Sequence, residues 1–245
     1  MAPAERLNRY LARSGIASRR AADALIASGA VRVNGRRPPA SGMLVEAGRD
    51  QVTVEGRPVE PRLGHRYLVM NKPEGVLVTA RDPEGRPTVF DAVGDEQQGR
   101  LFAVGRLDAG TSGLLLLTDD GELANRLAHP RHKVGKEYVA VVSGTPSEAV
   151  LRRLREGGEL DGRPTLPAEV ELEASGGGLS RLRIVIREGR YRQVRRMLEA
   201  VGHPVRELTR TAFGPVRLGR LRAGAWRRLR PAELDALRRA AGLEP

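Results

Sequence analysis

The sequence contains no cysteine. That excludes disulfides, thiolate nucleophiles and cysteine-ligated zinc together, and it accords with a cytoplasmic location. Aromatic residues fill only 3% of the 245 positions, so leucine and valine must supply the core, for which a hydrophobic content of 40% suffices. Lysine is scarce: Lys72, Lys133 and Lys136 are the only three, against 42 lysines and arginines in all. The longest aliphatic run is far shorter than a membrane span, and the opening MAPAERLNRY has no apolar signal core. No glycine-rich nucleotide-binding loop is present. The four histidines, His65, His129, His132 and His203, are scattered, with no set at metal-ligand spacing. Neither a metal nor an organic cofactor is expected.

Positive charge is abundant. A net charge of +12 makes a polyanion the natural partner, and the lack of a membrane-length apolar run leaves no membrane expected as one. The charge is uneven: +5 over residues 1–62, −4 over 63–179, +12 over 180–230 and −1 over 231–245. Two basic stretches therefore flank a mildly acidic middle.

Residues 5–37 read as a compact module. Leu7, Tyr10 and Leu11 occupy one face of a helix that Gly15 ends. Ser18 is positioned to cap a second helix whose apolar face is Ala21, Ala22, Leu25 and Ile26. VRVNGRRP then alternates like a strand and carries Asn34-Gly35, a tight-turn signal, which predicts a small hairpin. GRPVEPRLGH, residues 56–65, reads as a linker. From Tyr67 onward YLVMN, GVLVTA, LFAVGRL, GLLLLT, EYVAVV, AEVELEA, LRIVIRE and PVRELTRT read as strands. ELANRLAH, SEAVLRRLRE, RQVRRMLEAVG and PAELDALRRAAG read as helices. Strands mostly follow strands, which predicts an α+β fold. The expectation is a small helix-hairpin module (1–62), its arginines suited to nucleic acid, joined to a larger domain (63–245) with a mixed, mainly antiparallel β-sheet flanked by helices.

In GRLDAGTSGLLLLTDDGEL, residues 105–123, Asp108 stands before a Gly/Ser/Thr turn and the apolar run Leu114–Leu117. Arg106 and Asp108 share a face of an extended segment and Leu107 points the other way, into the core. Taken alone, Asp108 reads sooner as a turn-capping carboxylate than as a catalytic one. Lys136 and Tyr138 share one strand face. The tyrosine ring is either buried in the core or a plate for a nucleobase. Arg192, Arg195 and Arg196 follow a glycine turn at the start of a helix, a place that favours anions. Lys72 precedes Pro73 where a strand enters a turn.

RLNRYLARSGIASRRAADALIASGAVRVNGRRP closely resembles the small RNA-binding module named after a ribosomal small-subunit protein, the S-four domain. The resemblance implies RNA binding through Arg6, Arg9, Arg19, Arg20 and Arg32 as phosphate contacts. NKPEGVLVT, GRLDAGTSGLLLLTDDGELANRL, KEYVAVVSG, EGRYRQVRRMLEAVGHPV and VRELTRTAFGPVRLGRL resemble, in the same order, the ribosomal RNA pseudouridine synthases that join an S-four domain to a catalytic domain. That likeness implies an isomerase that converts a flipped-out uridine in ribosomal RNA to pseudouridine. Asp108 is then the nucleophilic or basic aspartate, Tyr138 packs on the target uracil, and Arg195, or Arg196 after a slip of one, pairs with Asp108. Arg106 contacts the target nucleotide or holds the loop, and Lys72, Arg192 and Arg196 are further RNA contacts. Breaking N1–C1′ and joining C1′ to C5 needs no redox change, consistent with a chain that requires no cofactor. The implied partner is structured ribosomal RNA, a stem-loop either free or in an assembling subunit, met by a monomer. The motifs lie closer to the large-subunit (23S) members, with a 16S-directed enzyme or a non-catalytic assembly factor as alternatives. A methylase reading lacks its donor-binding loop. A metal phosphodiesterase would need Asp108, Asp119 and Asp120 to converge.

Overall fold

The computed structural model describes residues 4–40, 42–61, 64–94 and 101–244. They divide into two compact units. The first runs to His65 and includes Leu101. The second begins at Arg66 and resumes from Phe102 to the end.

In the first unit β1 (Glu5–Arg6) leads into α1 (Leu7–Arg13), which buries Leu7, Tyr10 and Leu11 as their spacing predicts. α2 (Arg19–Ser28) starts at Ser18, whose hydroxyl accepts from the Ala21 amide at 3.2 Å, and ends on Gly29 with φ of 82°. These are ordinary helix-end devices. β2 (Val31–Val33), β4 (Val52–Val54) and β5 (Arg57–Pro58) form an antiparallel sheet in the order β2–β4–β5, and β3 (Leu44–Val45) pairs with β1. The Asn34-Gly35 turn forms, with φ of 51° and 76° and reciprocal bonds between Val33 and Arg36. The expected hairpin does not continue, because Pro38 and Pro39 follow at once and proline cannot donate to a ladder. The partner strand comes instead from residues 52–54. The linker assigned to 56–65 is also shorter than expected: Arg57–Pro58 pairs with β4, and the Val59 carbonyl accepts from the Tyr10 hydroxyl at 3.1 Å.

The second unit is built on one mixed sheet. β6 (Tyr67–Lys72), β8 (Ser112–Thr118), β9 (Lys136–Ser143), β12 (Glu169–Gly176), β13 (Leu179–Ile186), β14 (Val205–Phe213) and β16 (Trp226–Arg228) lie in the order β12–β13–β9–β14–β8–β6–β16. β7 (Phe102–Ala103) pairs with β8 and β15 (Val216–Arg217) with β14. Only β14 and β8 run parallel, so the sheet is mainly antiparallel, as the strand-after-strand pattern predicts. A small β10 (Glu159–Leu160)–β11 (Arg163–Pro164) ribbon stands apart.

Helices cover the two halves of the sheet separately. α4 (Glu148–Glu156) and α5 (Gln193–Glu199) pack Leu151, Leu154, Val194 and Leu198 against the β9 and β13 half. α3 (Gly121–Ala128) and α6 (Pro231–Ala240) pack Leu123, Leu127 and Leu237 against the β6 and β8 half. Of the apolar segments read as strands, one is not a strand and another is cut short. GVLVTA holds only an isolated bridge from Leu77 to Thr88. LFAVGRL stops after Ala103, because Gly105 takes φ of 70° and breaks the extended run. That break releases residues 106–108 from the sheet and lets them line a cleft.

Candidate active site

A cleft of about 390 Å³, large enough for a nucleotide, opens in the second unit. Arg106, Leu107, Asp108 and Thr111 form one wall, α5 with the preceding turn another, and Lys136, Tyr138 and Arg210 from adjacent strands the floor. Leu107 is buried in the core, as the alternation predicts.

Asp108 is half-buried, and among the described residues its carboxylate accepts no hydrogen bond and forms no ion pair. A turn-capping aspartate would use its side chain on nearby amides. Here the turn is closed by the backbone instead, Thr111 N–H to the Asp108 carbonyl at 3.0 Å. The loop is clamped from behind by two cations. Lys72 donates to the Ala109 carbonyl at 3.2 Å and to its neighbour Pro73 at 2.7 Å. Arg195 donates to the Gly110 carbonyl and, at 3.4 Å, to that of Val205. Both attract the Asp108 carboxylate through space. They fix the loop without occupying the oxygens, and those oxygens stay open to the cleft.

The adjacent arginines separate cleanly. The expected ion pair with Asp108 is not formed by either: Arg196 makes a two-toothed ion pair with Asp161 at 2.6 and 2.9 Å, while Arg195 faces the Asp108 loop and holds its Gly110 carbonyl instead of the carboxylate. Residues one apart on a helix point about 100° apart, so only one can reach the loop. Burial lowers the Arg195 pKa below the usual arginine value, and Arg192 adds to the effect. Arg192 is exposed at the start of α5, and Arg106 is exposed on the opposite wall.

Lys72 departs from the sequence reading. It is 0% exposed, so it cannot be the phosphate contact expected of it, and its ammonium serves the Asp108 loop instead. In the first unit Arg6, Arg9, Arg19, Arg20 and Arg32 are all exposed, and Arg9 also shares Glu5 with Arg13, at 3.4 and 2.6 Å respectively.

Tyr138 lines the cleft at 8% exposure. Directly opposite on β14 is Arg210, 1% exposed, which donates from Nε to the Leu114 carbonyl at 2.7 Å. Among the described residues its Nη2 has no hydrogen-bond partner. Arg210 and Lys136 both sit over the Phe213 ring, 5.1 and 5.3 Å from its centre. The sequence reading passed over Arg210. The available signal was its place on β14 between Leu208 and Ala212, an arginine on the apolar face of a strand.

Burial pushes the Lys136 pKa down to about 8, helped by Arg210 and opposed by Glu188, and burial brings Lys72 down to about 8 as well. Below pH 8 both folded and unfolded chains hold these protons. Between about pH 8 and 10 the unfolded chain keeps protons that the folded one has released, so unfolding free energy rises with pH. Lys136→Met is expected to remove up to about 1.4 kcal/mol per pH unit of that slope, measured by urea unfolding at pH 8 and 9.5. Equal slopes in the two proteins would show that Lys136 is not desolvated.

Asp119 and Asp120 do not join Asp108. Asp119 pairs with Arg66 at 2.9 Å, and Asp120 caps α3 and accepts from the Tyr67 hydroxyl at 2.8 Å. Among the described residues no group of three His, Cys, Asp or Glu side chains could hold a metal, and no helix is long and apolar enough to cross a membrane.

Comparison with known proteins gives the class first. Residues 5–52 match the S4 domain, an RNA-binding module, which makes the chain an RNA-directed protein with a separate cleft-bearing unit. Residues 66–200 match the family described as RNA pseudouridylate synthase, and the chain belongs to that family of enzymes. An uncharacterised RNA pseudouridine synthase of Aquifex aeolicus is 43% identical over 240 residues, covering 98% of this chain and 96% of that protein. The ribosomal large subunit pseudouridine synthase B of Bacillus subtilis is 44% identical over 236 residues, covering 96% of each. A crystal structure of a pseudouridylate synthase superposes with a TM-score of 0.69 at 31% identity, over 95% of this chain and 99% of that one.

Proposed function

We propose that the protein converts particular uridines of large-subunit (23S) ribosomal RNA to pseudouridine, with Asp108 as the nucleophile or base. The observation that carries this reading is a carboxylate with open oxygens, held in a nucleotide-sized cleft by cations that touch its loop and leave the carboxylate itself unbound. A uracil in structured RNA must first leave its stack, at a cost of a few kcal/mol. Tyr138 offers a surface for the extruded base and the exposed Arg106 and Arg192 face the flanking phosphates. Leu107, buried in the core beside it, gives the carboxylate an apolar backing, and a base seated in the cleft would displace water from it and strengthen its electrostatic action. The name of the Bacillus subtilis relative supports the large subunit as target.

The test is incubation of the full chain with unmodified large- and small-subunit ribosomal RNA transcribed in vitro, followed by carbodiimide mapping of pseudouridine. Pseudouridine in the large-subunit RNA is expected. Signal confined to the small-subunit RNA overturns the target, and no signal in either overturns the catalytic reading in favour of an assembly factor.

On the same reading, the exposed arginines of the first unit hold RNA phosphates. Replacing Arg6, Arg19 and Arg20 together by glutamine is expected to flatten the dependence of log affinity on log salt by about one unit per lost contact. A filter-binding titration that returns an unchanged slope removes these residues from the interface.

A further inference from the structure

The floor of the cleft holds two buried cations that no anion among the described residues meets. Arg210 is 1% exposed and Lys136 9%. Arg210 uses one nitrogen on the Leu114 carbonyl and leaves Nη2 unpartnered, and Lys136 has one acceptor, the Val134 carbonyl at 3.3 Å. The acid whose charge reaches Lys136 is Glu188, and it is already engaged. Its Oε1 accepts from Gln193 at 2.6 Å and from the Leu166 amide at 3.1 Å, and its Oε2 faces Arg190 at 3.3 Å. Burying an unpaired donor costs free energy that packing on Phe213 offsets only in part. A second buried, unpartnered polar atom, the Thr111 hydroxyl, lies on the same lining.

We propose that Arg210, with Lys136 beside it, is a binding subsite for the uracil itself: the pair takes a base carbonyl oxygen and the negative charge that develops there. The inference rests on the reading that a flipped uridine occupies the cleft. When N1–C1′ breaks, the bonding pair stays on the base and spreads onto its two carbonyl oxygens. C5 then attacks C1′, the C5 proton leaves and N1 takes up a proton, so the composition of the nucleotide is unchanged. A fixed cation at a carbonyl oxygen stabilises the base at the stage when it is charged and detached, and resists its escape. Depth decides between base and backbone as the ligand. A phosphate stays near water, where Arg106 and Arg192 are exposed. Arg210 lies directly across the ladder from Tyr138, the plate for the base, and is closed to solvent on its other sides.

The test compares full-length wild type, Arg210→Gln and Arg210→Lys on unmodified large-subunit RNA transcribed in vitro, with single-turnover pseudouridine formation and RNA affinity measured separately. Arg210→Gln is expected to slow the single-turnover rate on the order of 100-fold, with affinity and salt slope within about threefold of wild type. Arg210→Lys is expected to recover part of the rate. A glutamine variant as fast as wild type overturns the inference. So does a variant whose loss lies in affinity and in a salt slope reduced by about one unit, which marks a phosphate contact. Thermal unfolding accompanies each variant, and where Arg210→Gln is unfolded at the assay temperature, Lys136→Gln decides by the same criteria. Wild type that makes no pseudouridine brings down the catalytic reading and this inference with it, whereas an active wild type matched by its variants removes this inference alone.

Discussion

Asp108→Asn is expected to abolish pseudouridine formation while RNA affinity stays within about threefold of wild type. The substitution keeps the shape of the side chain and removes its charge and nucleophilicity. The structure makes it unusually clean, because the carboxylate has no hydrogen bond to lose among the described residues. The loop is held by Lys72 on the Ala109 carbonyl, by Arg195 on the Gly110 carbonyl and by the Thr111 amide on Asp108's own carbonyl, none of which uses the carboxylate. Stability should therefore change little, and any loss is a loss of chemistry. Removing a nucleophile from enzymes that work through one costs roughly 10⁴- to 10⁶-fold in turnover. Carbodiimide mapping and filter binding on the same RNA are sufficient. An asparagine variant that still isomerises uridine would remove Asp108 from the mechanism, and one that loses RNA binding to the same extent would make it a docking residue.

Gly113→Ala is expected to unfold the second unit, or to destabilise it by several kcal/mol. Gly113 lies where β8 and β14 run parallel, paired with Arg210, at φ of 104°. A Cβ there would stand 2.3 Å from the Arg210 carbonyl oxygen and 2.7 Å from its amide nitrogen. Both are backbone atoms of a central strand flanked by β9 and β8, so they have no room to withdraw. The positive φ adds a penalty for any L side chain. Urea or thermal unfolding measures the effect. A folded alanine variant with wild-type stability would mean that the two strands can separate at this point. Close approach at Gly113 also brings the Asp108 loop, which feeds β8, beside the strand that carries Arg210. The glycine thus serves both the sheet and the cleft.

Much of this was legible in the chain because it is local. Helix periodicity gave the buried Leu7, Tyr10 and Leu11, and the Ser18 cap followed from its place before an apolar helix. Alternation placed Tyr138 with Lys136 on one face and turned Leu107 inward. The Asn34-Gly35 turn was equally local, yet its strand partner was not: two prolines forced the pairing to a segment some twenty residues further on. Short apolar stretches such as GVLVTA carry the same alternation as a strand, and whether they join a sheet depends on whether a neighbour presents a free edge.

By itself the sequence determined the class of fold and the order of an S4 segment followed by a synthase segment, and it singled out an aspartate that lines the cleft, because these are written in contiguous motifs whose residues lie near one another. Tertiary structure alone decided what each cation does. Lys72 looks like an RNA contact and Arg195 like the ion-pair partner of Asp108, and both become clamps on the backbone of a loop; Arg196 is diverted to Asp161, and Arg210 becomes a buried charge without a counter-ion among the described residues. The reason is physical: a charge is defined by its burial and its nearest partners, and for these side chains both come from residues far away in sequence.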